Sequence, residues 1–226
     1  MRLSILSLAL AGALSLTACT SEKVREQDAA ASDQASAAVA PLATAAANPS
    51  FAKPGFDCTK ATLKVEAVIC NDAPLAQLDV EVTRIYDLIG RAPGVDRGGL
   101  QRLQGGWLNK RNGCATASDM HTCLLEAYGS RISDLRAGYP VARNDTAASI
   151  GPIGWHCPKG DISSTFINGE TSMVFVKWGN TGAMLTQAIS ASGARYEGGG
   201  YEFWTKGNET QWTAPGSATV TCTEIS

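Results

Sequence analysis

The stretch from Ser192 to Gly207 reads SGARYEGGGYEFWTKG, and it decides how the C-terminal part of the chain is interpreted. Two short runs with aromatic residues, 194–196 and 201–205, flank the consecutive glycines 198–200. Glycine readily adopts the positive φ angles of tight turns, so a glycine run between two strand-forming segments predicts a β-hairpin. The stretch therefore indicates antiparallel β structure.

Similar short runs surround this hairpin along the chain. They cover 163–167, 172–178, 183–189, 210–213 and 218–225, and turn sequences such as Asn168-Gly169 and Pro215-Gly216 separate them. Strands this short and this regularly interrupted predict a small all-β domain over 151–226, either an antiparallel barrel or a sandwich. A domain of about 75 residues buries only a modest core, so we expect a disulfide between Cys157 and Cys222, near its two ends.

Two motifs in the opening stretch resemble the signatures of a known family. Residues 192–196 match S-G-x-x-Y and residues 201–207 match Y-x-x-x-T-K-G, as in the MliC/PliC family of membrane-bound or periplasmic inhibitors of c-type lysozyme. The resemblance implies a small antiparallel barrel with a c-type lysozyme as its partner. It also implies that Ser192 and Lys206 are the inhibitory residues, inserted from neighbouring loops into the lysozyme cleft. The predicted lysozyme-binding set also contains Gly193, Tyr196, Tyr201 and Thr205, of which the two tyrosines are expected to support the loops rather than insert.

The preceding segment, 56–138, has a different periodicity. Apolar residues recur every three or four positions over 75–89 and again over 120–135, which predicts amphipathic helices in a bundle. A third helix is expected around Leu100 to Trp107, although Gly105 and Gly106 each weaken it by about 1 kcal/mol relative to alanine. The chain is thus predicted to have a helical domain followed by a β domain.

The helical segment resembles the LprI family, which is named after a mycobacterial lysozyme inhibitor lipoprotein. The matching motifs are F-D-C with V-E-x-x-I-C (56–70), L-x-x-L-D with a following Tyr (75–86), Q-x-x-W-L-x-x-R-x-x-C (104–114) and C-L-x-x-x-Y-x-x-R-I-x-x-L (123–135). No inhibitory residue can be assigned here by motif. We expect five of the matching polar and aromatic residues to hold the fold together: Glu66, Asp79, Gln104, Trp107 and Arg131.

Four further cysteines, Cys58, Cys70, Cys114 and Cys123, lie in the helical segment. Their spacing differs from that of paired zinc ligands, so two disulfides are expected. If 62–70 is helical, its rise of about 1.5 Å per residue places Cys58 and Cys70 too far apart to bridge. Two long-range pairings then remain, in which Cys58 joins Cys114 or Cys123 and Cys70 joins the other.

The seventh cysteine, Cys19, follows an N-terminal export signal. Arg2 precedes an apolar run of about 14 residues, shorter than the roughly 20 that span a bilayer. The run ends in Leu-Thr-Ala-Cys, which resembles the lipobox of bacterial lipoproteins, so we expect a signal peptide over 1–18 and acylation of Cys19. A lipidated, Ala-rich and disordered tether is predicted over 19–55, with a linker at 139–150. In Gram-negative lipoproteins the residue after the lipidated cysteine influences sorting between membranes. Because Thr20 is not aspartate, this rule implies that the protein is anchored in the outer membrane.

Composition argues against several other classes of function. A net charge of −2 and a pI near 5.7 disfavour nucleic-acid binding. His121 and His156 lack a nucleophile motif, and neither a cofactor fingerprint nor a metal site is present, so we expect an enzyme inhibitor without cofactor or metal. The alternative hypotheses are a non-inhibitory envelope scaffold that binds peptidoglycan or an envelope protein through the helical domain, and a helical domain that inhibits a second lysozyme class.

Overall fold

The computed structural model describes residues 53–225, in which helices precede a series of strands. The predicted signal peptide, the acylated Cys19 and all but the last residues of the predicted tether lie outside the described residues. Within 53–225 we find no helix with the length and apolar character needed to cross a membrane.

Five α-helices form the N-terminal part of the described chain. They are α1 (Lys64–Asn71), α2 (Ala73–Arg91), α3 (Arg97–Gly113), α4 (Met120–Gly138) and α5 (Pro140–Arg143). An aspartate precedes each of the three long helices and accepts a hydrogen bond from a backbone N–H of the first turn: Asp72 before α2, Asp96 before α3 and Asp119 before α4. Such caps satisfy N–H groups that the helix itself leaves without a partner.

The predicted apolar stripes form the core of the helical part. Leu78, Val82 and Ile85 of α2 and Leu124 and Ile132 of α4 are almost completely buried. Helix α3 forms through the Gly105-Gly106 pair, and its Trp107 packs edge-on against Tyr128 with ring centroids 5.3 Å apart. The all-α disulfide-stapled bundle predicted from the sequence is thus confirmed.

A buried polar cluster lies inside this bundle. The Tyr128 hydroxyl donates to Asp79 over 2.7 Å and accepts from Arg111 over 3.2 Å, while Asp79 also accepts from the backbone N–H of Gly55. Burial raises the pKa of Tyr128, and the nearby Asp79 carboxylate adds to that effect. The cluster keeps each buried polar group hydrogen-bonded and ties the residues before α1 to the bundle.

The other polar residues singled out in this segment also make intramolecular contacts. Glu66 accepts from two backbone N–H groups before α1, and Gln104 accepts from Arg131 over 2.7 Å. The Trp107 indole donates to the Ala127 carbonyl, and the Arg111 and Arg131 guanidinium groups lie 5.6 and 5.9 Å from its ring. As expected, these residues hold the fold together.

The disulfide pairing of the helical part corrects the prediction. The structure joins Cys58 to Cys70 and Cys114 to Cys123, so both bridges are local. The Cys58–Cys70 disulfide, which the sequence analysis ruled out, forms because α1 begins only at Lys64 and residues 58–60 make a separate short 3-10 helix. The non-helical residues 61–63 between them turn the chain back, which brings the Cys58 and Cys70 Cα atoms to 5.9 Å.

Eight antiparallel strands form a closed barrel in sequence order, so the barrel prediction is confirmed. The strands are β1 (Ser149–His156), β2 (Ile162–Ile167), β3 (Met173–Trp178), β4 (Thr181–Ala188), β5 (Ala194–Gly198), β6 (Tyr201–Lys206), β7 (Glu209–Thr213) and β8 (Val220–Glu224). Cys157 and Cys222 form the expected disulfide. The barrel core contains both cysteines together with Trp155, Val174 and Phe203. The sequence prediction missed β1, which contains two glycines and a proline.

The helices and the barrel share an apolar interface. Ile167 and Met173, on the outer face of β2 and β3, belong to the same buried cluster as the core of the helices. Helix α4 packs closely against the barrel at Gly129, where an added Cβ would lie 2.5 Å from the Phe175 ring and 2.6 Å from the Met184 methyl group. The described residues therefore belong to one compact unit.

The segment 139–150, predicted as a linker, contains α5 and the start of β1 and is bound to both parts. Arg136 is fully buried and donates to the Ser149 hydroxyl and to the Gly151 and Asp145 carbonyls. Arg84 of α2 pairs with Asp145 at 2.7 Å, and this pair lowers the pKa of the Asp145 carboxyl. The segment 139–150 is therefore not the expected linker but a structured segment that is hydrogen-bonded to both the helices and the barrel.

Candidate functional site

Ser192 and Lys206 lie next to each other at one end of the barrel. Ser192 lies in the β4–β5 loop (189–193) and Lys206 ends β6, immediately before the turn at 207–208. Because Ala194 of β5 pairs with Thr205 of β6, the hairpin register brings the two positions together. We call this region, with its loops 168–172, 189–193 and 207–208, the Ser192 end of the barrel.

Gly193 allows the two segments to approach closely. Its φ angle is +67°, which side-chain-bearing residues rarely adopt. A Cβ atom at this position would lie 2.4 Å from the Thr205 carbonyl oxygen and 3.1 Å from the Lys206 Cβ. The glycine of the S-G-x-x-Y motif is therefore required by both the backbone conformation and the adjacent strand.

The β4–β5 loop is held by the side chain of Trp204. The indole N–H lies 2.8 Å from the Ser192 carbonyl and 3.1 Å from the Ser190 hydroxyl, and that hydroxyl donates to the same carbonyl. These bonds use the backbone of Ser192. Among residues 53–225, no hydrogen bond engages its exposed hydroxyl.

Lys206 is exposed at the end of β6, opposite Glu209 across the β6–β7 turn. The Thr205 hydroxyl donates to the Glu209 carbonyl and stabilises this turn, in which Gly207 has a φ of +61°. The salt bridges formed within the described chain do not include the Lys206 ammonium. A hydroxyl and an ammonium group are thus available to a partner on one small surface.

Comparisons with known proteins connect this geometry to a family. Residues 155–221 match the family model described as membrane-bound lysozyme-inhibitor of c-type lysozyme, and this range contains both motifs. The lipoproteins LprI of Mycobacterium tuberculosis and Mycobacterium bovis are 30% identical over 193 residues, covering 80% of this chain and 92% of theirs. The chain belongs to the LprI family. A crystal structure of Pseudomonas aeruginosa MliC in complex with hen egg white lysozyme is 29% identical, covers 36% of this chain and 89% of that one, and has a TM-score of 0.29.

Two members of the predicted binding set lie elsewhere in this LprI-family protein. Tyr196 is buried in the barrel core, 5.7 Å from the Phe166 ring, and burial raises the pKa of its hydroxyl. Tyr201 begins β6 at the opposite end of the barrel, where it stacks on Trp212. The structure therefore assigns both tyrosines to the fold and leaves Ser192, Gly193, Thr205 and Lys206 together.

The remaining charges of the hairpin pair with one another. The Arg195 guanidinium lies 2.6 Å from Glu202 and 2.8 Å from Glu197, and the hydrogen bond that it donates to Glu202 raises the pKa of Arg195. In the part of the chain that the structure describes, no group of three or more His, Cys, Asp or Glu residues is arranged to hold a metal ion.

Sequence reasoning missed two residues of the Ser192 end. Trp204 is one of the variable positions in Y-x-x-x-T-K-G, so its role in holding the loop was not visible in the motif. Ile189 was placed inside a predicted strand, but β4 ends at Ala188 and the isoleucine side chain is 96% exposed. The alternation of apolar residues along β4 was the only signal, and it does not show where a strand ends.

Proposed function

We propose that this protein inhibits c-type lysozyme by placing Ser192 and Lys206 in the active-site cleft. The observation that carries the proposal is the juxtaposition of these two residues, which the close contact of Gly193 with Thr205 and Lys206 produces. The match of the surrounding barrel to a family of c-type lysozyme inhibitors supports it.

The chemistry of the two side chains suits such a cleft. A c-type lysozyme cleaves its glycan with one protonated and one ionised carboxyl group. A serine hydroxyl both donates and accepts hydrogen bonds, so it fits either group. A lysine ammonium about 4 Å from the ionised carboxylate gains roughly 4 kcal/mol at an effective dielectric of about 20, before desolvation is subtracted. Neither side chain offers a bond for the enzyme to cleave.

The proposed function includes a location in the cell envelope. The lipobox-like sequence before Cys19 supports acylation of that cysteine, and two or more acyl chains are sufficient for stable membrane anchoring. We place the anchor in the outer membrane because Thr20 follows the cysteine. An inhibitor held there would protect peptidoglycan from lysozyme that enters from outside.

The proposal is tested by the clearing of a Micrococcus suspension by hen egg white lysozyme. The chain 20–226 should protect the cells at stoichiometric concentration, whereas the double variant Ser192→Ala/Lys206→Ala should protect at least tenfold less well with an unchanged thermal midpoint. A matched control is Ser217→Ala/Lys159→Ala, which changes the same residue types at exposed positions of the opposite end and should inhibit normally. Full inhibition by the first variant would show that other residues carry the activity.

A further inference from the structure

Ile189 has a degree of exposure that its role in the fold does not explain. Its side chain is 96% exposed, whereas the next most exposed large apolar residue of the described chain, Leu103, reaches 57%. A single exposed apolar residue is common on protein surfaces and by itself means little. Ile189 is significant because it lies in the 189–193 loop that also carries Ser192.

Ile189 belongs to the loop that presents Ser192. It is the first residue after β4, and Ser190 follows it directly. The Trp204 indole binds the Ser190 hydroxyl and the Ser192 carbonyl, so the backbone on the C-terminal side of Ile189 is fixed. On the N-terminal side, Gln187 donates its backbone N–H to the Ser172 carbonyl of the neighbouring loop. The isoleucine is therefore presented by an anchored loop, and little ordering entropy opposes its burial by a partner.

The surroundings of Ile189 resemble the anatomy of a protein interface. Affinity at such interfaces is concentrated in a few central side chains that become fully buried, with a polar rim around them. Here one apolar residue begins the loop that carries Ser192, and the preceding end of β4 is hydrogen-bonded to the 168–172 loop. Lys206 lies close to the other end of the same loop, on β6. Polar contacts alone would give orientation, whereas a buried isoleucine contributes apolar area.

We propose that Ile189 is the apolar anchor of the lysozyme-binding surface, a contact that rests on the proposed function. The lysozyme cleft would bury its side chain against an apolar patch at the rim while Ser192 and Lys206 reach the carboxyl groups. The anchor sets affinity through slow dissociation, and Lys206 contributes mainly to charge-dependent association.

The experiment measures association and dissociation rates of the chain 20–226 with immobilised hen egg white lysozyme. Ile189→Ser should raise the dissociation constant about tenfold or more, chiefly through faster dissociation, since full burial of an isoleucine corresponds to at least that factor. Ile189→Val should recover most of the affinity. The salt dependence of association should stay as in the wild type, whereas Lys206→Ala should reduce it.

The matched control is Leu103→Ser, at the next most exposed apolar position, on α3 and outside the Ser192 end. It should bind lysozyme like the wild type, and both serine variants should retain the wild-type thermal midpoint. Wild-type affinity in Ile189→Ser would overturn the inference while leaving the proposed function intact. A variant that loses self-association but keeps its lysozyme affinity would overturn it too, by assigning Ile189 to a contact between copies. A wild-type chain that does not bind lysozyme would overturn the proposed function itself.

Discussion

At the scale of single residues, the Ser192 end depends on one glycine. Gly193 combines a positive φ with a close approach to β6, since an added Cβ would lie only 2.4 Å from the Thr205 carbonyl oxygen. The motif predicted a small residue here, but the reason for it lies in the neighbouring strand. A sequence pattern identifies such a position without showing which atoms restrict it.

Gly193→Ala should therefore damage both stability and inhibition. The positive φ alone costs about 1–2 kcal/mol for a residue with a Cβ, and the clash with the Thr205 carbonyl adds to this by forcing β5 and β6 apart. We expect a lower thermal midpoint and an inhibition constant raised at least tenfold in the Micrococcus clearing assay.

Gly216→Ala separates the two causes of this effect. Gly216 has a φ of +69°, but nothing lies within 4 Å of an added Cβ, and the turn belongs to the opposite end of the barrel. This variant should lose only the stability that the φ angle accounts for and should inhibit normally. Equal behaviour of the two variants would show that close packing at Gly193 is unimportant.

At the scale of elements, local sequence patterns predicted the long helices and every strand except β1. Strand β1 and the disulfide pairing of the helical part depend on contacts that local patterns do not show. The apolar residues of α2 and α4 recur at helical spacing, so their periodicity is visible in the sequence even though α4 also packs against the barrel at Gly129. Strand β1, with Pro152 and Gly154, lacks an alternating pattern and is held by pairing with β2 and β8. The Cys58–Cys70 bridge was excluded because a continuous helix was assumed, although three non-helical residues reverse the chain before α1.

The Arg84–Asp145 pair links α2 to the segment before β1, and its contribution to stability should depend on pH. Hydrogen bonding from Arg84 lowers the pKa of Asp145 in the folded chain below its value of about 3.9 in the unfolded chain. A lowered folded pKa stabilises the fold above about pH 4, and this contribution disappears as the pH falls through the folded pKa.

Asp145→Asn should lower the free energy of unfolding by about 1–2 kcal/mol at pH 7, and the difference from the wild type should shrink below about pH 4. Urea denaturation at pH 7 and pH 3 measures both values. Asp134→Asn is the control, because the Asp134–Lys177 pair is exposed and such pairs contribute roughly 0–1 kcal/mol. A loss for Asp145→Asn that is the same at both pH values would contradict an ionic role.

At the scale of the whole molecule, helix α2 contacts the Ser192 end through the 168–172 loop. Gln77 of α2 makes two hydrogen bonds with the backbone of Thr171, and the adjacent Ser172 binds Gln187 at the end of β4. A continuous path of contacts thus runs from α2 to the loop that presents Ser192. The sequence predicted a helical part followed by a β part, but it could not show this interface, because the outward residues of β2 and β3 are recognisable as buried only once α4 covers them.

If the Ser192 end occupies the active-site cleft of a c-type lysozyme, as we propose, a saccharide bound in that cleft should compete with it. Competition with a substrate analogue tests it most directly: the affinity of the chain 20–226 for hen egg white lysozyme is measured at increasing concentrations of tri-N-acetylchitotriose, which fills that cleft. If the two ligands exclude each other, the apparent dissociation constant should rise linearly with the saccharide concentration. An affinity that does not change at saturating saccharide would contradict it, because the protein would then bind lysozyme outside the cleft.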